Sequence, residues 1–426
     1  MRWLRALYLS NGLAIGALYG FVPVLLQSRG FQPALIGLTT GLGSLAYTLA
    51  LPAWGHLGDV VSGPRRTLQM ACIPAAIFAL GFNAPLPAVG IMVCQMVITG
   101  GGGPTLALTD AMTVPALGKN ASRDYSRLRL LTSLGAAGSA IACGVLYARI
   151  GYVAAPFVYS LTMLATAACA MFVPLGRDSE RHRTARRARA GRVARAKPER
   201  GRFGSVGEAF KVQPRLLGIL VSVTLIFLGF MAGNTYIPLR ISDLGGGPSV
   251  VGLSNGIASG AEVPGLILAG WLVSRIGLRT LLTVSALGFA ACMGSWIVLA
   301  DAGSIVVTRF AAGVFFGGIF FSFVLTMSRL LPVRLQSTGQ TLFQACCFGL
   351  AAIAANVAGG VLYAVAGPLG VFGVGGVCTI AGGLVGFAVL PARDEARPVW
   401  AAEPAETAET VEAGDVAAPV PISTGG

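Results

Sequence analysis

Few residues in this chain of 426 could do chemistry, and those that could stand apart from one another. The two histidines are His56 and His182, and neither falls into a Ser-His-Asp set or a metal-ligand spacing. The run "GGGGP" that ends at Pro104 lacks the Lys and Ser/Thr of a phosphate-binding loop. The eight cysteines lie inside apolar runs without any CxxC pair and read as small packing residues. What remains is a set of isolated charges inside apolar sequence: Glu262 in "GAEVPG", Asp110 in "LTDAM", Arg129 in "RLRLL" and Arg309 in "VTRFA".

The chemistry such groups offer is proton movement. A carboxylate holds its proton more tightly in an apolar surrounding and less tightly beside a cation, so a group exposed alternately to two surroundings takes a proton in one and gives it up in the other. Glu262 is the first candidate for that role and Asp110 the second, while a buried carboxylate paired with an arginine for structure alone is the competing reading of Glu262. Asp110 and Arg129 are suited either to pair with each other and close the protein or to contact a polar substrate. Arg309 could receive an anionic substrate, compensate Glu262, or snorkel to the outer interface.

The elements that must position these charges follow from composition. Apolar residues make up 54% of the chain and charged residues 11%, with a mean hydropathy of +0.74, which is too apolar for a soluble domain of this size. A bilayer-crossing helix needs roughly 20 apolar residues. The sequence divides into about twelve such runs, near 4–27, 34–56, 67–84, 87–115, 128–149, 152–175, 215–239, 249–274, 280–300, 304–330, 338–365 and 369–391. The expected fold is an all-α integral membrane protein. Its opening stretch has the basic start of a signal peptide, but the apolar run is too long for one and is read as the first membrane helix.

Arginines set the expected orientation, because loops retained in the cytoplasm carry Lys and Arg. Arg65 and Arg66, then Lys119, Arg123 and Arg127, then a long basic segment, then Arg275 and Arg279, then Arg329 and Arg334 fall in alternate loops. Both termini are therefore expected in the cytoplasm, with the protein in the plasma (inner) membrane. The expected organisation is a six-helix bundle over 1–176, a basic linker over 177–214, a second six-helix bundle over 215–391 and an acidic, disordered tail over 392–426. The positive-inside rule accounts for the linker's arginines without nucleic acid, and anionic lipid headgroups are the further partner they suit. The net charge of +14 owes much to this segment.

The halves repeat each other. Pro23, Gly30, Gly37, Gly55 and Leu57 recur 215 residues later as Pro238, Gly245, Gly252, Gly270 and Leu272. The register then slips by one, so that Gly63 and Arg65 answer to Gly277 and Arg279, and "GVLYA" at Gly144 returns unchanged at Gly360. Two six-helix parallel repeats are the expected architecture.

Two parallel six-span halves joined by a basic linker resemble the major facilitator superfamily. The signature between that family's second and third helices is matched by Gly55, Leu57, Gly58, Asp59, Gly63, Arg65 and Arg66 with one extra loop residue, and in spacing by Gly270, Leu272, Arg275, Gly277 and Arg279, where Ser274 replaces the aspartate. The resemblance implies that Asp59, with Arg65, Arg66 or a neighbouring arginine, latches against the start of the eleventh helix near Ser337 and Thr338. Tyr125, Arg127, Arg129, Ser133 and Gly135, with Asp110, Glu262, Pro264, Gly339 and Gln340, resemble the branch that holds lactose permease and phenylpropionate permease. Ala312 stands where that branch often has a histidine.

The resemblance implies a secondary transporter, not an enzyme, that works by rocking its halves about a central site. Asn11, Tyr19, Asn234, Gln344 and Asn356, with Arg129 and Arg309, are the residues expected to bind its substrate, and the same polar residues could instead bridge helices. Proton-coupled uptake of a small organic solute is the leading expectation. It needs no cofactor beyond the proton gradient, and the expected partners of the monomer are lipid, proton and solute. Proton-coupled efflux is the alternative, and a transporter-shaped sensor is the third reading.

Overall fold

The computed structural model describes residues 1–113, 121–173 and 202–390. Among these, ten helices are long and apolar enough to cross a membrane. One of the ten, Thr338–Val389, is 52 residues long and turns back at Gly367, where φ is 57° and Pro368 follows, so it makes two spans. Pro64–Leu80, at 17 residues, is the remaining one. The total is twelve, as the hydropathy pattern predicts.

In chain order the first span is Arg2–Leu18 with Val22–Ser28, followed by Pro33–His56, Pro64–Leu80, Ala88–Gly102 with Thr105–Thr113, Ala121–Ile150 and Ala154–Phe172. The second half runs Leu216–Asp243, Pro248–Ile276, Leu278–Val298 and Ala302–Leu330. Its eleventh span starts as Val333–Gln344 and passes through a π-helical turn, Ala345–Ala351, into Ala352–Val389, which carries the twelfth span over 368–389. Large apolar side chains such as Leu161, Ile267 and Val307 are 70% exposed or more, which is the surface a lipid-facing bundle requires.

Breaks in these helices have chemical causes. Pro104 has no N–H to give the carbonyl of Gly100, and the indole Nε1 of Trp54 donates to that oxygen at 2.8 Å instead. The hydroxyl of Thr105 likewise donates to the Gly102 carbonyl at 2.6 Å. The "GGGGP" run is thus a hinge in the fourth span, and its glycines let Tyr19, Tyr47 and Tyr159 close on the backbone at Gly102 and Gly103.

The repeat seen in the sequence is a repeat of backbone geometry. Six glycines among the described residues have positive φ: Gly30, Gly63, Gly151, Gly245, Gly277 and Gly367. They fall into three pairs, each member of the first half answering to one 214 to 216 residues later, and each pair occupies the same turn of its half. Gly63 (φ 77°, ψ 156°) and Gly277 (φ 81°, ψ 161°) are nearly identical, in a region closed to other residues.

The same symmetry brings the halves together. At the end away from the basic loops, the second span crosses the eleventh at Gly37 and Gly360, and the eighth crosses the fifth at Gly252 and Gly144. A Cβ on Gly37 would lie 2.7 Å from the Cα of Gly360, and one on Gly252 would lie 2.7 Å from the Cα of Gly144. Gly37 and Gly252 are repeat mates, as are Gly144 and Gly360, so one crossing is the image of the other. Small residues allow such backbone approach inside a membrane. Around them Gln27 donates to Asp243 at 3.3 Å, and Asn255 donates to the Gly20 carbonyl at 3.1 Å, both across the halves.

At the basic end the motif arginines turn inward to their own halves. Arg65, in the first turn of the third span, donates through Nη2 to the carbonyl of Val173, the residue that ends the sixth. Arg279, its repeat mate, lies 3.6 Å over the ring of Phe387 in the twelfth span, and Arg275 lies 3.9 Å over Trp271. Arg66 is exposed and Gly55 has open space around it, while Gly270 is in ordinary contact with Phe321. Arg65 thus takes a carbonyl of its own half, since a helix start beside a helix end offers unpaired carbonyls close at hand. The side chains of Asp59 and Ser337 lie outside the described residues, as do most of the linker and the tail. The end of the linker, Arg202–Val212, is a helix with Ala209 buried.

Candidate functional site

Between the halves lies a cavity of about 370 Å³. It lies within the size range of small-molecule sites. The first half gives it Ile15, Tyr19, Thr40, Ser44, Gln95, Thr99, Ala136 and Ala140, and the second gives Phe230, Met231, Asn234, Thr235, Asn255, Ala258, Ser259, Glu262, Phe289, Arg309, Ala312, Phe316 and Asn356, with glycines between them. Phe230 and Phe316 stack in its wall with ring centroids 3.6 Å apart.

Among the described residues, the charged ones in this lining are Glu262 and Arg309. Arg309 is 4% exposed, donates through Nη2 to Asn234 Oδ1 at 3.2 Å, and lies 5.9 Å from the ring of Trp296. That burial excludes snorkelling to the outer interface. Its Nε finds no partner. Glu262 interacts electrostatically with Arg309 but has no hydrogen bond and no ion pair within 4.0 Å among the described residues. A carboxylate and a guanidinium thus face one small cavity without neutralising each other by contact, and both keep capacity for a ligand. Ala312, one turn beyond Arg309, lines the same wall, so no histidine stands beside the pair.

Asn356 has a double part. Its Nδ2 donates to Ser44 at 3.0 Å across the halves, its Oδ1 receives Thr235 at 2.6 Å, and its backbone carbonyl receives Tyr236 at 2.5 Å. It lines the cavity and also ties the second span to the eleventh just inside the glycine crossing.

Three expected binding residues, Asn11, Gln344 and Arg129, lie elsewhere. Asn11 is fully buried and donates to Thr105 at 3.2 Å, so it bridges the first and fourth spans, because a buried amide in a bundle takes the nearest hydroxyl. Gln344 is exposed at the end of its helix, where the π-helical turn begins, and does not line the cavity.

Asp110 and Arg129 form a separate cluster toward the basic end. Asp110 accepts from Arg129 Nη1 at 2.8 Å, from Tyr8 at 2.6 Å and from Tyr125 at 3.1 Å, which joins the first, fourth and fifth spans. Neither residue lines the cavity. Of the two readings open to the sequence, the geometry fits pairing, since three donors from two neighbouring helices converge on one carboxylate.

Sequence reasoning passed over Gln95, Thr99, Asn255, Ser259, Thr40 and Ser44, all of which line the cavity. Gln95 carries a readable signal, an amide in the midst of "IMVCQMVI". The hydroxyls carry none, since Ser and Thr on a membrane helix also satisfy their own backbone, as Ser44 and Thr40 do.

A twelve-span bundle of two parallel repeats about a central polar cavity defines a secondary transporter of the major facilitator type. The chain belongs to the MFS_1 like family, which it matches over residues 1–374. It is 27% identical over 373 residues to the maltose permease of Geobacillus stearothermophilus, covering 87% of this chain and 90% of that protein. Its fold is similar to that of a variant of the nucleoside transporter NupG, with a TM-score of 0.75 at 12% identity over 92% of this chain and 99% of the other. It is also similar to a D-xylose-proton symporter, with a TM-score of 0.65 at 14% identity over 91% and 96%.

Proposed function

We propose that this protein is a proton-coupled symporter that takes up a small, hydroxyl-rich organic solute, resident in the plasma (inner) membrane with both termini in the cytoplasm. One observation carries the reading: Glu262 faces the central cavity without a hydrogen bond or close ion pair among the described residues, with the buried Arg309 in the same wall. A carboxylate so placed changes its proton affinity with what stands beside it. When the cavity opens to the outside, water and a proton reach Glu262. When solute binds and the halves rock, Arg309 and the solute reset its surroundings, and the proton leaves on the other side.

The halves are tied at the end away from the basic loops, which the arginine distribution assigns to the outside. The described conformation would therefore have its outer side closed. A sugar-like solute is the class this reading favours, in keeping with the maltose permease to which the chain is 27% identical and the D-xylose-proton symporter whose fold it shares. The cavity suits a hydroxyl-rich solute, for it offers amides and hydroxyls from both halves and aromatic faces beside them.

The test is proton movement in proteoliposomes with a trapped pH dye, challenged with maltose, D-xylose and uridine. Lumenal acidification on solute entry, lost in Glu262→Gln while solute exchange at equal concentrations continues, is the expected result. A signal of opposite sign would make the protein an exporter, and an unchanged signal in the variant would leave Glu262 a structural residue.

A further inference from the structure

The cavity's two walls differ in kind. The wall from the second half holds both charged residues, and they are of opposite sign. The wall from the first half holds neither, yet Gln95 Oε1 there finds no partner in the protein, and the buried hydroxyls of Tyr19 and Tyr159 have only each other. Gln95 is 3% exposed and lines the cavity, as does Tyr19, and Tyr159 is fully buried behind them. The rings of Tyr19 and Tyr159 meet edge to face with centroids 6.1 Å apart, and their hydroxyls come together over Gly102 without meeting hydrogen-bond geometry.

An unpartnered buried polar atom is destabilising. Polar atoms so placed at one wall of a binding cavity are hard to explain as packing, because Leu and Phe would fill the same space without that cost. Gln95 is also held in place: a Cβ on Gly43 would lie 3.1 Å from its Cγ and its Nε2, so the second span leaves the side chain little room to turn away. A fixed amide and a phenol lining the same wall offer both acceptors and donors, which matches hydroxyl groups that both give and receive. It offers no charge to an ionised group.

We propose that Gln95 and the Tyr19 hydroxyl, with Tyr159 backing Tyr19, form a hydroxyl-recognition patch on the first half, so that the carried solute is uncharged and spans the cavity from this patch to Glu262, Arg309 and Asn234. The proposal rests on the symport reading and adds to it. While Glu262 is ionised its charge balances that of Arg309 within one wall, and the facing wall carries no charge in any state, so a charged group of the solute has no counter-charge at the patch. Because the solute touches both halves, its occupancy couples them, which a solute held by one half could not do.

The experiment uses the full chain in proteoliposomes. For whichever of maltose, D-xylose or uridine the wild type carries, KM is measured for the parent solute and for a series of analogues each lacking one hydroxyl, in wild type, Gln95→Leu and Tyr19→Phe. Gln95→Leu should raise KM about tenfold, the loss of roughly one buried hydrogen bond. One deoxy analogue penalised in the wild type should show no penalty in the variant. A general loosening of the fold would raise KM for every analogue alike. Tyr19→Phe removes a single oxygen and decides the matter by the same pattern if Gln95→Leu fails to insert. Unchanged KM in these variants, or a deoxy penalty that survives in them, overturns the patch while leaving the symporter standing. Preference for a uronic acid over its neutral sugar overturns the claim of an uncharged solute. A wild type that carries none of the three, with no proton signal, overturns the symport reading and the patch with it.

Discussion

At the residue scale the molecule separates its charges by task. Arg309 both faces Glu262 and holds Asn234, and these two functions can be divided. Arg309→Lys keeps a cation in the same wall as Glu262 but loses the fork that reaches Asn234 Oδ1, so the proton signal should persist while the solute KM rises about tenfold. Loss of the signal with unaltered KM would reverse that assignment. Asp110 belongs to the frame. Asp110→Asn takes a charged acceptor away from Arg129, Tyr8 and Tyr125 and should destabilise the first half by about 1 to 3 kcal/mol, toward the low end because Arg129 is 46% exposed. A lowered Tm in detergent with near-normal equilibrium exchange of solute is the expected pair of results. Both charges were legible in the sequence as isolated ionisable groups in apolar runs. Which one faces the cavity was not, because a helix's register toward its neighbours depends on crossings that one span does not encode.

At the element scale the decisive contacts are between backbones. The crossings of Gly37 with Gly360 and of Gly252 with Gly144 leave no space for a side chain. Gly252→Val should force the fifth and eighth spans apart, favour opening at that end and slow the return. Thiol labelling of a cysteine introduced at Asn255, in a background without native cysteines, should become several-fold faster, and unchanged labelling would mean that the crossing gives way without opening. A smaller effect concerns the tenth span, where Asp301 caps the helix by accepting from the Ser304 amide at 2.7 Å. That amide and the Ser304 hydroxyl hold the Asp301 carboxyl below its ordinary range. The sign follows: the cap's contribution is present above the usual aspartate pKa and is lost as pH falls through the lowered value. Wild type should therefore lose its advantage in Tm over Asp301→Ala only in strong acid. The glycines were visible in the sequence as a repeat, but the sequence could not say that Gly37 meets Gly360, because repeat mates are related by symmetry and do not touch each other.

At the scale of the whole molecule, the pairing of all six positive-φ glycines shows that each half is built to one plan. A carrier of this plan needs only the two bundles and their connection. Truncation after Pro391 should leave the rate of solute entry within about twofold of wild type, well under 1 kcal/mol in the barrier. Abolished function on truncation would favour the sensor reading.

By itself the sequence determined the membrane as solvent, the number of spans, the parallel repeat and the short list of buried charges. These follow from composition and periodicity, since lipid admits only long apolar helices and a repeat is a property of the chain. The tertiary structure decided which polar residues share a cavity. It brought Gln95 from the fourth span and Tyr19 from the first to the wall opposite Glu262 and Arg309, left Asn11 to bridge helices and put Gln344 outside. The physical reason is that a polar side chain in a membrane bundle must find either a partner or water. Which of the two it meets depends on how neighbouring helices are rotated and how closely their glycines let them approach.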